Sequence, residues 1–122
     1  MKNILLFSII FAFSHSAYCE IEGIKHIVLC WLKDADNPHD LRTVVEASRQ
    51  LKTIPLVDNI VIGHPVASDR NIVDDSFDIG LVMNFLSHDD LERYLTHDEH
   101  VRIAKEILVP QCGRIQVYDV AY

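Results

Sequence analysis

The chain has 122 residues, a length that suits one domain. Hydrophobic residues make up 49% of it, enough for a core in a small protein. The formal net charge is −7, and lysines and arginines form no cluster along the sequence. This acidic balance argues against nucleic acids and anionic membrane surfaces as partners.

The N-terminal residues 1–19 have the pattern of a cleaved signal peptide. A lysine precedes an apolar run from Ile4 to Phe13, and small residues follow it. The run is shorter than the roughly 20 residues that a permanent membrane-spanning helix needs. We expect cleavage after Cys19, with Ser16 as an alternative, and a mature chain 20–122 that is periplasmic or secreted and free of the membrane. A buried N-terminal helix is the competing interpretation.

The next segments predict a strand, a helix and a second strand. Ile24–Leu32 is rich in β-branched and large apolar residues, which favours a strand. Apolar residues at helical spacing between residues 41 and 54 predict a helix, with Asp40 as its N-cap and Pro55 at its end. Val57–Val66 predicts the second strand.

The second half predicts strand, helix and strand. Phe77–Phe85 alternates apolar and polar residues, as a half-buried strand does. Ser87 opens a helical pattern with the acidic start typical of a cap. The apolar register is interrupted at "THDEH", so we expect one helix to end near Thr96 and another to begin near Asp98. Arg114–Tyr122 predicts the fourth strand.

The order β-α-β-β-α-β predicts an α+β, ferredoxin-like fold. Its four-stranded antiparallel sheet carries both helices on one face, with the first and fourth strands as neighbours near the centre. The first strand is apolar on both sides: one side has Ile27, Leu29 and Trp31, the other Ile24, His26, Val28, Cys30 and Leu32. We expect the side with His26 to be the uncovered one, closed by the same face of a second copy in a homodimer. A face that is merely less polar than average is the alternative.

Two cysteines, Cys30 and Cys112, remain after signal cleavage. Their separation does not fit a metal-binding motif. Cys30 lies toward the end of the first strand and Cys112 just before the fourth. If those strands are antiparallel neighbours, the two side chains approach each other, and an exported protein meets an oxidising compartment. The sequence therefore allows a disulfide between them without requiring it.

The stretch "YLTHDEHV" places Tyr94, His97 and His100 at spacings of three. A histidine of near-neutral pKa can act as a general base, and a nearby tyrosine hydroxyl can fix its tautomer or the ligand. We therefore consider His100 and Tyr94 as catalytic and His97 as a ligand contact. The alternative is that both histidines only hold the helix break. We predict no metal site, because zinc-protease helices carry histidines four apart with a glutamate between them.

Three stretches resemble the stress-responsive A/B barrel domain (Dabb) family of dimeric α+β barrels. They are "IKHIVLCWLK", "FDIGLVMNFLSHDDLERYLTHDEHV" and "RIQVYDV", and the resemblance covers nearly all of residues 23–122. Its most specific part is Phe77-Asp78, an apolar strand, and then Tyr94 and the two histidines that follow. The resemblance implies a ferredoxin-like fold and a homodimer formed by packing sheet on sheet.

The resemblance also implies a site. In a plant polyketide cyclase of this family, which makes olivetolic acid, a histidine matching His100 is the general base. A tyrosine matching Tyr94 supports it, and a histidine matching His26 lines the cavity. This chain differs at Ile79, where the cyclase has a further cavity histidine, and at Phe77, where it has a tyrosine. His26, Phe77 and Ile79 are thus implied as ligand contacts.

Three functions fit the sequence. The first is a homodimeric module that binds a small apolar or aromatic molecule in a cavity between sheet and helices. The second is a cyclase- or lyase-like enzyme with His100 as base, and neither of these calls for a cofactor. The third is a structural dimer without ligand. A filled interior around His26, Phe77, Ile79 and Leu81 would exclude the first two.

Overall fold

A computed structural model describes residues 23–122, and the signal peptide expected at residues 1–19 lies outside them. The order of elements confirms the predicted β-α-β-β-α-β arrangement. The strands are β1 (Ile24–Leu32), β2 (Asn59–Gly63), β3 (Ile79–Phe85) and β4 (Cys112–Ala121). The main helices are α1 (Pro38–Gln50), α2 (His88–Leu95) and α3 (Asp98–Ile103). Among the described residues, no helix is long and apolar enough to cross a membrane.

The four strands form one antiparallel sheet in the order β2-β3-β1-β4. The prediction that the first and fourth strands are neighbours is confirmed. The expectation that both lie near the centre is wrong for β4, which forms an edge of the sheet. The reason is that β3 occupies the other side of β1, so β4 pairs with β1 alone.

Helix α1 begins earlier than its apolar pattern indicates. Asn37, not Asp40, is the N-cap, and its side-chain oxygen accepts a hydrogen bond from the backbone N–H of His39 at 3.0 Å. Pro38 occupies the first helical position, where its missing N–H costs nothing. Asp40 lies in the first turn, where a negative charge still favours the helix. A 3₁₀ turn, Leu51–Thr53, follows α1.

The helix break predicted near "THDEH" is confirmed. The Ser87 hydroxyl caps α2 by accepting a hydrogen bond from the backbone N–H of Asp90 at 3.1 Å. Helix α2 ends at Leu95, and α3 begins two residues after Thr96 with His97 as its N-cap. A π-helical segment, Ala104–Leu108, and a last helical turn, Val109–Gln111, continue from α3 to β4.

The two faces of the sheet differ in cover. The inner face, defined as the one that packs on the helices, carries the buried side chains of β1 and β3: Ile24, His26, Cys30, Leu32, Ile79, Leu81, Met83 and Phe85. The outer face carries Ile27, Leu29 and Trp31, which are half-buried. The expectation that His26 lies on the uncovered face is therefore wrong. Alternation separates the two faces correctly, but with both apolar it does not show which one the helices cover.

Candidate active site

A small cavity lies between the inner face of the sheet and the helical segment that leads from α2 to β4. Its volume is about 220 Å³, below the roughly 300–1,000 Å³ of pockets for drug-sized ligands. The wall is mostly apolar and includes Leu81 and Met83 of β3 and Ile115 and Val117 of β4. Its polar groups are two histidines and a tyrosine: His26, Tyr94 and His100.

His100 reaches the cavity because α3 starts afresh after the helix break. Its ring Nδ1 lies 3.1 Å from the carbonyl oxygen of Leu95, the last residue of α2. A carbonyl only accepts, so Nδ1 carries the proton and Nε2 keeps a free electron pair. Burial lowers the pKa of His100, because it disfavours the charged ring, and the nearby His26 and His97 lower it further. At neutral pH this ring is an uncharged base.

Tyr94 is fully buried on the inner side of α2. Its ring centroid lies 4.3 Å from that of His100 and 4.9 Å from that of Phe85. Burial raises the pKa of the Tyr94 hydroxyl well above its ordinary value, so the group stays protonated. The hydroxyl donates to the Met83 sulfur at 3.4 Å. A thioether is a weak acceptor, so a ligand oxygen in the cavity can compete for this donor.

His26 stands on the opposite wall, in the middle of β1, with 5% of its surface exposed. Its Nδ1 lies 2.6 Å from the carboxylate Oδ1 of Asp119, its cross-strand partner on β4. The carboxylate accepts, so Nδ1 carries a proton, and Nε2 has no hydrogen-bond partner among the described residues. Among described side chains, Ser48 alone has a buried polar atom without a partner. The free Nε2 of His26 is therefore not sealed from accessible space.

Asp119, the partner of His26, is a residue of this cluster that the sequence analysis does not predict. The signal is present in the strand "RIQVYDVAY": alternation places Asp119 on the same side as Ile115 and Val117, which both line the cavity. An acidic residue in that row needs a partner when the row faces a core. The antiparallel register supplies His26.

The arrangement unites three polar groups within one apolar enclosure. The Tyr94 ring lies between the histidines, with its centroid 6.1 Å from that of His26 and 4.3 Å from that of His100. Each imidazole has Nδ1 fixed by a protein acceptor and Nε2 free, while the phenol is a neutral donor. Two bases and one donor can accept a proton from a ligand and hold its oxygen.

The other site residues taken from the sequence lie elsewhere. Phe77 is not in the cavity: its ring packs edge-on against Trp31, with centroids 6.3 Å apart, and contacts Gly80 at the outer face. Ile79 is fully buried in the core, outside the cavity wall. His97 is a cap, since its Nδ1 accepts from the backbone N–H of Glu99 at 3.2 Å. Phe77, Ile79 and His97 therefore do not line this cavity.

A disulfide joins Cys30, near the end of β1, to Cys112, the first residue of β4. It links strands that already pair along their length, and both cysteines are buried. It fixes the start of the edge strand that carries Asp119 at its other end. Within residues 23–122, no three histidine, cysteine or acidic side chains converge as a metal site requires.

Comparison with known proteins gives the family. The profile of the stress-responsive A/B barrel domain (Dabb) matches residues 24–122. No curated protein matches the sequence significantly.

Solved structures share the fold. A dimeric ferredoxin-like protein of unknown function from Thermobifida fusca is 23% identical, with a TM-score of 0.67 over 87% of this chain and 96% of that one. A Dabb family protein from Mesorhizobium loti is 23% identical, with a TM-score of 0.68 over 81% and 95%. Hydroxynitrile lyase from Passiflora edulis is 20% identical, with a TM-score of 0.72 over 84% and 94%. With the profile spanning almost all of the described residues, the chain belongs to the stress-responsive A/B barrel domain family and has a ferredoxin-like fold.

Proposed function

We propose that this protein binds a small apolar or aromatic molecule in the cavity between the sheet and α2–α3. The observation that carries the proposal is the cavity itself, which brings His26, Tyr94 and His100 together inside an apolar wall. A core built only for stability would fill this volume, because empty space costs packing energy. Such a core would also not be expected to contain two imidazoles that each leave one ring nitrogen without a partner.

The cavity chemistry defines the ligand class. A cavity of about 220 Å³ with an apolar wall suits one ring, two fused rings or a short branched chain. The Tyr94 hydroxyl suits a ligand oxygen that accepts, and the free Nε2 atoms suit a ligand hydroxyl that donates. A neutral compound with a hydroxyl or carbonyl group satisfies these partners without bringing a charge into the enclosure.

The protein that binds this ligand is, in our proposal, a homodimer formed through the outer face. Val61, Val82, Ile27 and Tyr118 form one apolar row across all four strands of that face. Val61 is 57% and Tyr118 53% exposed, so the single chain leaves the row open. Similar proteins from Thermobifida fusca, Bacteroides fragilis and Jannaschia are described as dimeric. A second copy would cover the row.

Export is part of the same proposal. A signal peptide at residues 1–19 would deliver the domain to the periplasm or the medium. The Cys30–Cys112 disulfide supports this, because such bonds persist in oxidising compartments and are rare in the cytosol.

Ligand binding is tested by native mass spectrometry of the mature chain, first for a co-purifying molecule and then with 2-naphthol added. We expect a complex whose abundance falls in the Tyr94→Phe and His100→Gln variants. The matched control is His88→Gln, because His88 is exposed at the start of α2, away from the cavity. Equal complex formation by all four proteins would contradict the proposed site.

The dimer is tested by light scattering during size-exclusion chromatography. Val82→Asp places a charge in the middle of the apolar row, and we expect it to convert the dimer to a monomer. Val66→Asp is the control, because Val66 is 84% exposed and outside the sheet. A wild-type monomer at micromolar concentration would rule out the dimer and leave the ligand proposal standing.

A second candidate function is a cofactor-free acid–base enzyme of the lyase or cyclase type. The observation that favours it is the neutral His100, with its lowered pKa and its free Nε2 beside the protonated Tyr94. In a lyase reaction on a hydroxynitrile, Nε2 would take the hydroxyl proton. The O–H electron pair would form the carbonyl bond, and cyanide would leave with the carbon–carbon bonding pair. Tyr94 would hold the reacting oxygen by a hydrogen bond.

Mandelonitrile cleavage, followed by benzaldehyde absorbance, tests this function. Loss of a general base costs about 10²- to 10⁴-fold in rate, so we expect a decrease of that size in His100→Gln. Asp119→Asn would cause a smaller loss and change the pH profile, since it alters the tautomer of His26. A rate in His100→Gln equal to that of wild type would exclude the mechanism, while binding of 2-naphthol would remain a separate result.

A further inference from the structure

A second depression lies on the far side of α1, at the free edge of the sheet. This α1–β2 groove has a volume of about 500 Å³ and is separate from the candidate active site, with which it shares no lining residue. Helix α1 and its following turn form one wall, and β2 forms the other. The lining residues are Val45, Arg49, Lys52, Ile60, Ile62, Gly63 and His64.

The floor of the groove is apolar. Val45, Ile60 and Ile62 pack against the core on one side and remain partly exposed on the other. Ile60 and Ile62 are inner-face residues of β2, one of the two edge strands. A strip of three branched side chains along an open groove offers an aliphatic chain a surface to cover.

The rim of the groove is cationic. Arg49 at the end of α1 and Lys52 in the 3₁₀ turn both line it and are both exposed. Within residues 23–122, neither forms an ion pair. The chain as a whole is acidic, with 18 acidic and 11 basic residues. The rim of the groove, with two cations that form no ion pair among the described residues, is therefore a locally positive surface above an apolar floor.

His64 closes one end of the groove. Its Nδ1 donates to the backbone carbonyl of Asp78 at 3.1 Å, which holds the ring in place and leaves Nε2 free. A shallower depression of about 300 Å³ continues from there along α1 and adds Arg42 and Glu46. Glu46 is the one carboxylate in this continuation, and it does not line the main groove.

We propose that the α1–β2 groove is a second ligand site, which takes a small amphiphilic carboxylate. Its aliphatic chain lies along Val45, Ile60 and Ile62, and its carboxylate lies between Arg49 and Lys52. The two sites differ in chemistry: the cavity around His100 offers neutral groups to a neutral ligand, whereas the groove offers cations to an anion. The groove does not depend on the function proposed for the cavity.

Decanoate is the probe, and decanol and acetate are its matched controls. Isothermal titration of the mature chain is expected to show saturable decanoate binding, with decanol and acetate each much weaker. Two exposed charge contacts of about 0.2–1 kcal/mol each imply a Kd that is about 2- to 30-fold higher for Arg49→Gln/Lys52→Gln. Affinity also falls with added salt, because both cations are exposed.

Two variants serve as controls. Arg70→Gln/Lys105→Gln removes the same net charge at exposed positions outside the groove, and its Kd for decanoate is expected to equal that of wild type. His100→Gln alters the cavity and is expected to leave decanoate binding unchanged. Circular dichroism establishes that each variant is folded.

Backbone amide shifts locate the ligand. Decanoate is expected to move the resonances of Val45, Ile60 and Ile62 and not those of His100 and Val117, which line the cavity and do not pair with β2. The proposal is overturned by no saturable binding, by decanol binding as well as decanoate, or by shifts confined to the cavity. An unchanged Kd in Arg49→Gln/Lys52→Gln also overturns it.

Discussion

The inner and outer faces of one sheet differ in what covers them and in how their polar residues are distributed. On the inner face the row Ile60, Met83, His26 and Asp119 crosses all four strands, and on the outer face the adjacent row is wholly apolar or aromatic. In the inner row the buried His26 has a partner, because the half-exposed carboxylate of Asp119 lies next to it on β4. An apolar row without such groups is suited to a second copy, which brings no partner for a buried charge.

The inner face is also unevenly covered. β1 and β3 are buried under the helices, whereas Ile115 and Val117 of β4 stay 38% and 40% exposed on the same face. The cavity lies at this transition, between a closed core and a half-open edge strand. That position gives a small molecule access to groups that a fully closed core would seal.

The largest loss of unfolding free energy is expected from truncating a buried side chain on the inner face. Ile79→Ala removes a fully buried side chain that lies outside the cavity wall. Such a truncation costs about 2–5 kcal/mol of unfolding free energy, from lost transfer energy and the void left behind. Urea unfolding measures it. The same substitution at the half-buried Ile27 of the outer face is expected to cost less.

The costs of Ile27→Ala and Ile79→Ala should depend differently on protein concentration. If a second copy covers Ile27, the cost of Ile27→Ala declines once the protein is diluted into its monomeric range. The cost of Ile79→Ala stays, because its packing lies within one chain. Costs that respond equally to dilution would mean that the outer face is not the interface.

A somewhat smaller loss of stability is expected from removing the disulfide, which joins the central strand β1 to the edge strand β4. Cys30→Ala/Cys112→Ala opens a loop of 82 residues in sequence separation. Loss of such a constraint costs about 2–4 kcal/mol of unfolding free energy. Because β4 is an edge strand and half-exposed, its amide hydrogens are expected to exchange faster, while those of β3 change less. Reduction of the wild type with dithiothreitol should reproduce the loss and leave the double variant unaffected. Equal exchange rates in β3 and β4 would contradict the edge-strand argument.

The fold was predictable because its elements have strong local signals. Ile24–Leu32 has the same bounds in sequence and structure, since a segment rich in β-branched and large apolar residues stops at a polar loop. The helix break at "THDEH" was predictable because the apolar register shifts there, and His97 caps the new helix. The apolar pattern starts late and therefore predicts a cap at Asp40, whereas Pro38 marks the true first turn and Asn37 caps it.

The site was predictable only in part, because tertiary register decides it. Tyr94 and His100 share a local motif, so one sequence stretch names both. The partnership of His26 with Asp119 joins residues 93 apart in sequence and depends on the β1–β4 register. The resemblance fixes the position of Phe77 along the chain but not the face that its ring packs on. Here it turns to Trp31 on the outer side.

The core beneath the inner face contains, among the described side chains, one buried polar atom without a partner, on helix α1. Ser48 is fully buried in α1, and its hydroxyl makes no hydrogen bond among the described residues. Ser48→Ala is expected to raise the unfolding free energy by about 1 kcal/mol, because an unmade buried hydrogen bond is costly. Ser87→Ala is the matched control and should lower it by about 1 kcal/mol through loss of the α2 cap. Destabilisation by both substitutions would show that the Ser48 hydroxyl has a partner in solution.

The smallest effect is a pH dependence that separates the enclosed His100 from exposed histidines. Burial lowers its pKa in the folded state, while the unfolded chain binds the proton near the ordinary value of about 6.5. As the pH falls below that value, the unfolded state takes up the proton first, so the unfolding free energy falls.

His100→Gln should flatten this slope of unfolding free energy against pH, whereas His88→Gln at the exposed start of α2 should not. Urea titrations between about pH 7 and pH 5 measure the slope above the range where most carboxylates titrate. A slope that persists in His100→Gln would mean that the ring is solvated in the folded state. It would then have no advantage as a neutral base over a surface histidine.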